Sequence, residues 1–231
     1  MLGSKLPVTV IIAVKNEAAN IARCIEALKP AERIVIVDSH SADSTCEIAS
    51  EYGAEILQFD YQGGYPKKRQ WAIDHLDHQT KWVLLVDADE VATPLLWNEI
   101  AEVIHSPEPC NGYLITKGFH FLGKRFRFGG FSHAAVLLIR HQFARFECLD
   151  DDVRTEHDME VHERIIVGGK IGTIKEPLIH QDFKGLSAYI DRHNHYSTWE
   201  AAIRYKYLQS GSYGSSTIKQ KLLGNTQERR R

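Results

Sequence analysis

Through the first hundred residues, continuous apolar runs alternate with stretches of helical period. "VTVIIAV", Val8 to Val14, does not alternate, which is the pattern of a parallel strand covered on both faces. Asn16 then reads as a helix cap. Ile21, Ile25 and Leu28 fall on one face of a helix to about Lys29, and Pro30 stands past its end. "RIVIV", Arg33 to Val37, predicts a second strand. Ser44 with Glu47 reads as a capping box for the next helix, and Gly53 as its stop. "AEILQF", Ala54 to Phe59, predicts a third strand, Lys67 to about Leu76 a helix, and "WVLLV", Trp82 to Val86, a fourth strand. Thr93 and Pro94 open a further helix to about Ile104. This order predicts an α/β fold, a mostly parallel Rossmann-like sheet with helices on both faces. Ligands of such sheets sit beyond the carboxyl ends of the strands. Three of these strands run into polar residues there: Lys15-Asn16-Glu17, Asp38-Ser39 and Asp87-Ala88-Asp89.

The second half changes character. Gly112 to Phe131 is aromatic, basic and punctuated by glycine, as in a twisted ribbon or a flexible loop. Ala134 to Arg140 predicts a strand. An acidic stretch from Asp150 to Glu163 leads into "RIIVGGKIGTI", which reads as a hairpin turning at Gly168-Gly169. A long helix is expected from Leu186 to Leu208. No internal repeat or low-complexity linker divides the 231 residues, so one domain with an elaborated C-terminal half is expected.

Composition narrows the function classes. A net charge of -2 gives no bulk electrostatic case for nucleic acid as a partner. Four cysteines, Cys24, Cys46, Cys110 and Cys148, form no CxxC pair, so neither a zinc site nor a redox pair is expected and a reduced, cytoplasmic setting is. The run Val8–Val14 is far below the ~20 residues of a membrane span. "KNEAAN" follows it in place of a cleavage pattern, so no secretory signal is expected. Residues 201–231 hold seven Lys and Arg against one Glu, a balance suited to peripheral contact with anionic lipid.

The carboxylates after "WVLLV" need a positive partner, because like charges at a buried strand end repel and are costly to desolvate. Asp87 and Asp89 can turn toward one point if the chain bends between them. Mg²⁺ or Mn²⁺ takes such oxygens together with those of a diphosphate.

The segments "VTVIIAVKNEAANIARCIEAL", "RIVIVDSHSADSTCEIA", "GGYPKKRQWAID" and "WVLLVDADE", in that order, resemble the family 2 glycosyltransferases of GT-A fold. "VHERIIVGGKIGTIKEPLIH" resembles their lipopolysaccharide-core glucosyltransferase branch, and the likeness covers roughly Leu6 to Trp199. The resemblance implies a single GT-A catalytic domain, with a nucleotide-sugar-binding half at 1–105, an acceptor half at 106–200 and a basic C-terminal segment at 201–231. It implies inverting transfer from a nucleotide-sugar donor, most often UDP-linked, to a glycan or lipid-linked acceptor, at the cytoplasmic face of the membrane. By the same resemblance Ala13, Glu17, Asp38, Lys68, Arg69, Asp87 and Ala88 contact the donor nucleotide, with Lys67 an alternative to Lys68. Asp87 and Asp89 hold the metal, with His180 as a further ligand. A carboxylate must also take the acceptor's proton. The candidates are Asp150, Asp151, Asp152, Glu160 and Glu163, with Glu163 preferred, Asp151 second, and His162 placed to orient the base. Such chains commonly continue past this point into an amphipathic or apolar segment.

Two other readings compete. "VLLVDADEV" also fits a haloacid-dehalogenase-like phosphatase with Asp87 as nucleophile, although that motif normally ends a fold's first strand. A non-catalytic nucleotide- or carbohydrate-binding module is the other.

Overall fold

In β1, Leu6–Val14, every residue from Val8 to Ile12 is buried, so layers cover both faces of this strand, as its unbroken apolar run requires. In the computed structural model, which describes residues 4–63, 65–121, 123–126, 128, 133–147 and 164–210, β1 lies at the middle of the parallel part of a ten-stranded sheet. The elements that follow are α1 (Ile21–Ala27), β2 (Ala31–Asp38), α2 (Thr45–Glu51), β3 (Glu55–Gln58), α3 (Lys68–Asp74), β4 (Trp82–Asp87), the two-residue β5 (Glu90–Val91) and α4 (Pro94–Ile104). Then come β6 (Gly112–Phe121), β7 (Lys124–Arg125), β8 (His133–Arg140), β9 (Ala144–Phe146), β10 (Ile165–Val167), β11 (Ile171–Thr173), β12 (Leu178–His180) and α5 (Gly185–Ser210).

The strand order is β3-β2-β1-β4-β8-β6-β12-β5, with β7 and β11 also paired to β6. β1, β2, β3 and β4 are mutually parallel. β8 enters antiparallel between β4 and β6, and β12 returns parallel to β6. On one side α1 contacts α2 and receives the indole N–H of Trp97 from α4, 2.9 Å from the Ala27 carbonyl oxygen. α3 packs instead against β1, β2 and β9. Trp97, Leu96, Ile100, Ile21 and Ile25 are essentially without solvent contact, each stabilising the core by about 1.5–3 kcal/mol relative to exposure.

Several local expectations are corrected. Asn16 does not cap α1. It adopts a left-handed conformation (φ 56°), and its side chain accepts the Ala42 N–H at 2.8 Å, so the helix starts only after Asn20. The capping box at Ser44 does not form. The Asp43 carboxylate accepts the N–H groups of Ala18 and Thr45 instead, each at 3.1 Å, and so joins the two loops. Gly53 does end α2, with φ 77°, a value an L side chain rarely adopts. The expected hairpin at Gly168-Gly169 is absent. β10 pairs with β9 and β11 with β6, so the chain passes from a small two-stranded sheet to the main one through Gly169 (φ 102°).

α4 begins as expected, with Thr93 Oγ1 accepting the Leu96 N–H at 3.1 Å and Pro94 in the first turn. Thr93→Ala is expected to destabilise the protein by about 1 kcal/mol in urea unfolding, the typical worth of such a cap. No change in the unfolding midpoint would show the cap to be redundant.

Candidate active site

The register of the parallel strands decides which residues meet at their carboxyl ends. Val14 lies opposite Asp38 on β2, and Ala13 lies opposite Asp87 on β4. Asp38 is buried. Its carboxylate accepts the Ser41 N–H at 3.0 Å and the Ser41 hydroxyl at 2.5 Å, folding the loop after β2 back on itself. Burial alone would raise the Asp38 carboxyl, but the Ser41 hydrogen bonds hold it below the usual range. Lys68 Nζ donates to the Val14 carbonyl oxygen at 3.1 Å. Lys67 and Lys68 are both buried, so the start of α3 faces the interior despite its charge.

Asp87 sits between two cations. Arg69 of α3 pairs with its Oδ1, and Lys117 Nζ of β6 lies 2.5 Å from its Oδ2. Burial would raise the Asp87 carboxyl, but Lys117 and Arg69 hold it well below the carboxylate range. Lys117 is shifted the opposite way. Burial would lower its ammonium, and the charges of Asp87 and Glu90 raise it instead.

A tight turn, Ala88-Asp89, then leads into β5. Asp89 turns toward His180 on β12, with Oδ2 at 3.3 Å from Nε2. The backbone closes this contact: the Gln181 N–H donates to the Asp89 carbonyl oxygen at 2.9 Å, and His180 lies opposite Glu90 in the β5–β12 ladder. Burial pushes the Asp89 carboxyl up to about 6. Asp87, Glu90 and Glu17 add to the shift, and His180 opposes it. One ligand atom from each of Asp87, Asp89 and His180 lies within 4.8 Å of the others, the one such grouping among the described residues. Two carboxylate oxygens and an imidazole nitrogen suit Mg²⁺ or Mn²⁺. The raised Asp89 carboxyl marks buried negative charge that a divalent cation would neutralise.

Glu17, on the loop after β1, receives Lys184 Nζ at 2.5 Å and Asn20 Nδ2 at 3.0 Å. Asn20 Nδ2 also reaches Asp182 at 2.9 Å, and Asp182 pairs with Arg192 of α5 at 2.7 Å. The first turns of α5 are thereby tied to the loop that borders the carboxylates.

Of the residues singled out from sequence, Ala13, Glu17, Asp38, Lys68, Arg69, Asp87, Ala88, Asp89 and His180 meet at this end of the sheet. Asp150, Asp151, Asp152, Glu160, His162 and Glu163 lie outside the described residues. His180 ends β12, which lies between β6 and β5. Lys117 and Glu90 were missed as site residues. A lone lysine inside the otherwise apolar "GYLITKG" was the available signal for the first.

Residues 9–159 match the model of the family described as glycosyl transferase family 2. A lipopolysaccharide core biosynthesis glycosyltransferase, LpsC, of Rhizobium meliloti (strain 1021) is 27% identical over 203 residues, 85% of this chain and 71% of that protein. An uncharacterized glycosyltransferase of Rickettsia felis is 28% identical over 199 residues, 84% of this chain and 69% of that protein. Among solved structures, S. aureus TarS 1-349 superposes with a TM-score of 0.53 at 16% identity, covering 76% of this chain and 60% of that one. The chain thus spans less than two thirds of that structure, and the likeness is one of fold.

Proposed function

The chain belongs to glycosyl transferase family 2 and has the GT-A fold, and on that premise we propose that it moves a sugar from a UDP-class nucleotide donor to a glycan or lipid-linked hydroxyl with inversion at the anomeric carbon. The observation that carries this reading is the Asp87–Asp89–His180 grouping beyond the carboxyl ends of β1, β2 and β4. Asp87, Asp89 and His180 would hold Mg²⁺ or Mn²⁺, which supplies positive charge opposite the diphosphate leaving group.

The chain's own residues do the rest. Arg69 and Lys117 keep Asp87 ionised and in one orientation. Asp38, on the strand beside Ala13, serves the nucleoside, and the loop bearing Glu17 closes that side. Asp38→Ala is expected to raise the Kd for UDP about tenfold, the loss of one charged hydrogen bond of roughly 1.5–3 kcal/mol. Unchanged affinity by titration calorimetry would remove Asp38 from the donor site. The acceptor hydroxyl is a weak nucleophile and needs a carboxylate on the face opposite the leaving group. Glu163 is assigned that role, with Asp151 as second choice, because "VHERI" resembles the lipopolysaccharide-core branch. LpsC carries a lipopolysaccharide-core name, which favours a lipid-linked or lipopolysaccharide acceptor here. No described helix is long and apolar enough to cross a membrane. The basic residues of 201–231 would make a peripheral contact with anionic lipid at the cytoplasmic face.

The phosphatase alternative fits less well. Asp87 follows three strand–helix units, whereas that motif normally ends a fold's first strand. A panel of nucleotide sugars with Mn²⁺ tests the proposal. Release of nucleoside diphosphate from a UDP-sugar, abolished by chelator, is expected. Phosphate release from monoesters, with no nucleotide-sugar turnover, would replace it with the phosphatase reading.

A further inference from the structure

Glu90 is wholly buried, yet no donor or acceptor role in sugar transfer requires it. It stands where three strands meet. It lies opposite His180 in the β5–β12 ladder, and β12 in turn pairs with β6, where Leu178 lies opposite Lys117. Its Oε2 accepts the Asp87 backbone N–H at 2.8 Å, which clamps the turn that aims Asp87 and Asp89. Its Oε1 lies 2.8 Å from Lys117 Nζ and 3.5 Å from His180 Nδ1. Neither contact has hydrogen-bond geometry here, so Oε1 is a buried acceptor flanked by an ammonium and an imidazole nitrogen. Lys117 supplies its charge balance, and an imidazole N–H at Nδ1 lies close enough to supply a directed donor. The opposite ring nitrogen, Nε2, faces Asp89.

We propose that Glu90 is a positioning residue of the metal site: it holds the Nδ1–H of His180, which leaves the Nε2 lone pair aimed at the point shared by Asp87 and Asp89. The two ring nitrogens of a neutral histidine are not equivalent, and the one bound by a carboxylate decides which is left to ligate. Through the same side chain Glu90 fixes the backbone at Asp87, so one carboxylate sets two of the three ligands. Lys117 balances its charge, and removing that balance would leave a carboxylate in the interior without a counter-ion. Coulomb attraction to a metal alone does not account for the placement. Glu90 is not part of the Asp87–Asp89–His180 grouping as a ligand of its own: Oε2 accepts a backbone N–H, and Oε1 lies between Lys117 and the far side of the His180 ring.

This inference rests on the metal-assisted reading, and two measurements keep the two separable. The first uses the metal-free wild-type protein at alkaline pH, where the imidazole is neutral. Two-bond ¹H–¹⁵N correlation of His180 should show the proton on Nδ1. A proton on Nε2 would overturn the proposal, whatever the protein does with metals. The second is Mn²⁺ titration followed by electron paramagnetic resonance, on wild type and on Glu90→Gln. The amide keeps the size of the side chain but must turn its NH₂ toward either the Asp87 N–H or Lys117. Mn²⁺ affinity should fall about 10–100-fold, the usual cost of losing an outer-shell partner. UDP binding in chelator should stay the same. Equal Mn²⁺ affinity in the two proteins would overturn the proposal. So would a parallel loss of UDP binding in chelator, since that would report a general collapse of the crevice. A wild type that binds no Mn²⁺ would remove the metal-assisted reading, and the tautomer would still decide whether Glu90 governs His180.

Discussion

Asp89→Asn is expected to lower kcat/KM by about 10²–10³, in the range seen when one preorganised group that stabilises developing charge is removed. In chelator the same variant should be no less stable than wild type at neutral pH. The two effects have opposite signs for one reason. Asp89 is buried beside Asp87 and Glu90, and burial pushes its carboxyl up to about 6 in the metal-free protein. A carboxyl raised above its unfolded value disfavours the folded state once pH exceeds the folded pKa. That cost vanishes below the unfolded pKa of about 4, where both states are protonated. The variant's advantage in chelator, on the order of 2 kcal/mol at pH 7, should therefore shrink as pH falls from about 6 to about 4. Adding Mn²⁺ should reverse the ranking, because wild type, with both carboxylates, gains more binding energy from the metal. Urea unfolding across that pH range, with Mn²⁺ and with chelator, checks the pattern. A variant that is less stable than wild type in chelator and still active would contradict it.

Lys117→Met should cost about 3–5 kcal/mol of stability, the range for breaking a buried ion pair from one side. The lysine side chain is 12% exposed and lies between Asp87 at 2.5 Å and Glu90 at 2.8 Å. Methionine fills a similar volume, so packing is nearly conserved and the loss reports charge. Arg69 would still face Asp87, but among the described residues Glu90 would keep only the His180 ring, at 3.5 Å, as a potential cationic partner. Chemical denaturation in chelator measures it. A loss below about 1 kcal/mol, the worth of an exposed pair, would mean that the carboxylates relax toward water when the lysine is removed.

The fold's parallel half was legible because β1, β2 and β4 carry buried, unbroken apolar runs, such as Val10–Ile12, Val35–Val37 and Trp82–Val86, with only the edge strand β3 more exposed. The carboxylate pair was legible because it interrupts such a run abruptly. The ends of the first helices were not. Ser44 has the side chain of a cap, but the adjacent Asp43 takes the Thr45 N–H in its place; Asn16 has one too, but Ser41 and Ala42 of the neighbouring loop engage its N–H and its side chain. That competition depends on which loops meet in space. Lys117 and Glu90 escaped for a related reason. The lone lysine of "GYLITKG" does not reveal its partners from its own segment, and the two charges explain each other only after β5, β12 and β6 come together. The pair at Gly168-Gly169 has hairpin composition, yet β9 and β6 supply better partners than β10 and β11 offer each other. The same limit applies to Glu163 and Asp151, whose roles rest on resemblance alone.

Calorimetric titration of the wild-type protein with UDP, once with Mn²⁺ and once with chelator, tests the central claim most directly. A nucleotide-sugar transferase that uses Asp87, Asp89 and His180 to hold a metal against a diphosphate should bind UDP at least about tenfold more tightly with Mn²⁺, a difference of ~1.4 kcal/mol or more. The increment should be absent for uridine, which has no phosphates to meet the metal. Equal affinity for UDP with Mn²⁺ and with chelator would contradict the account.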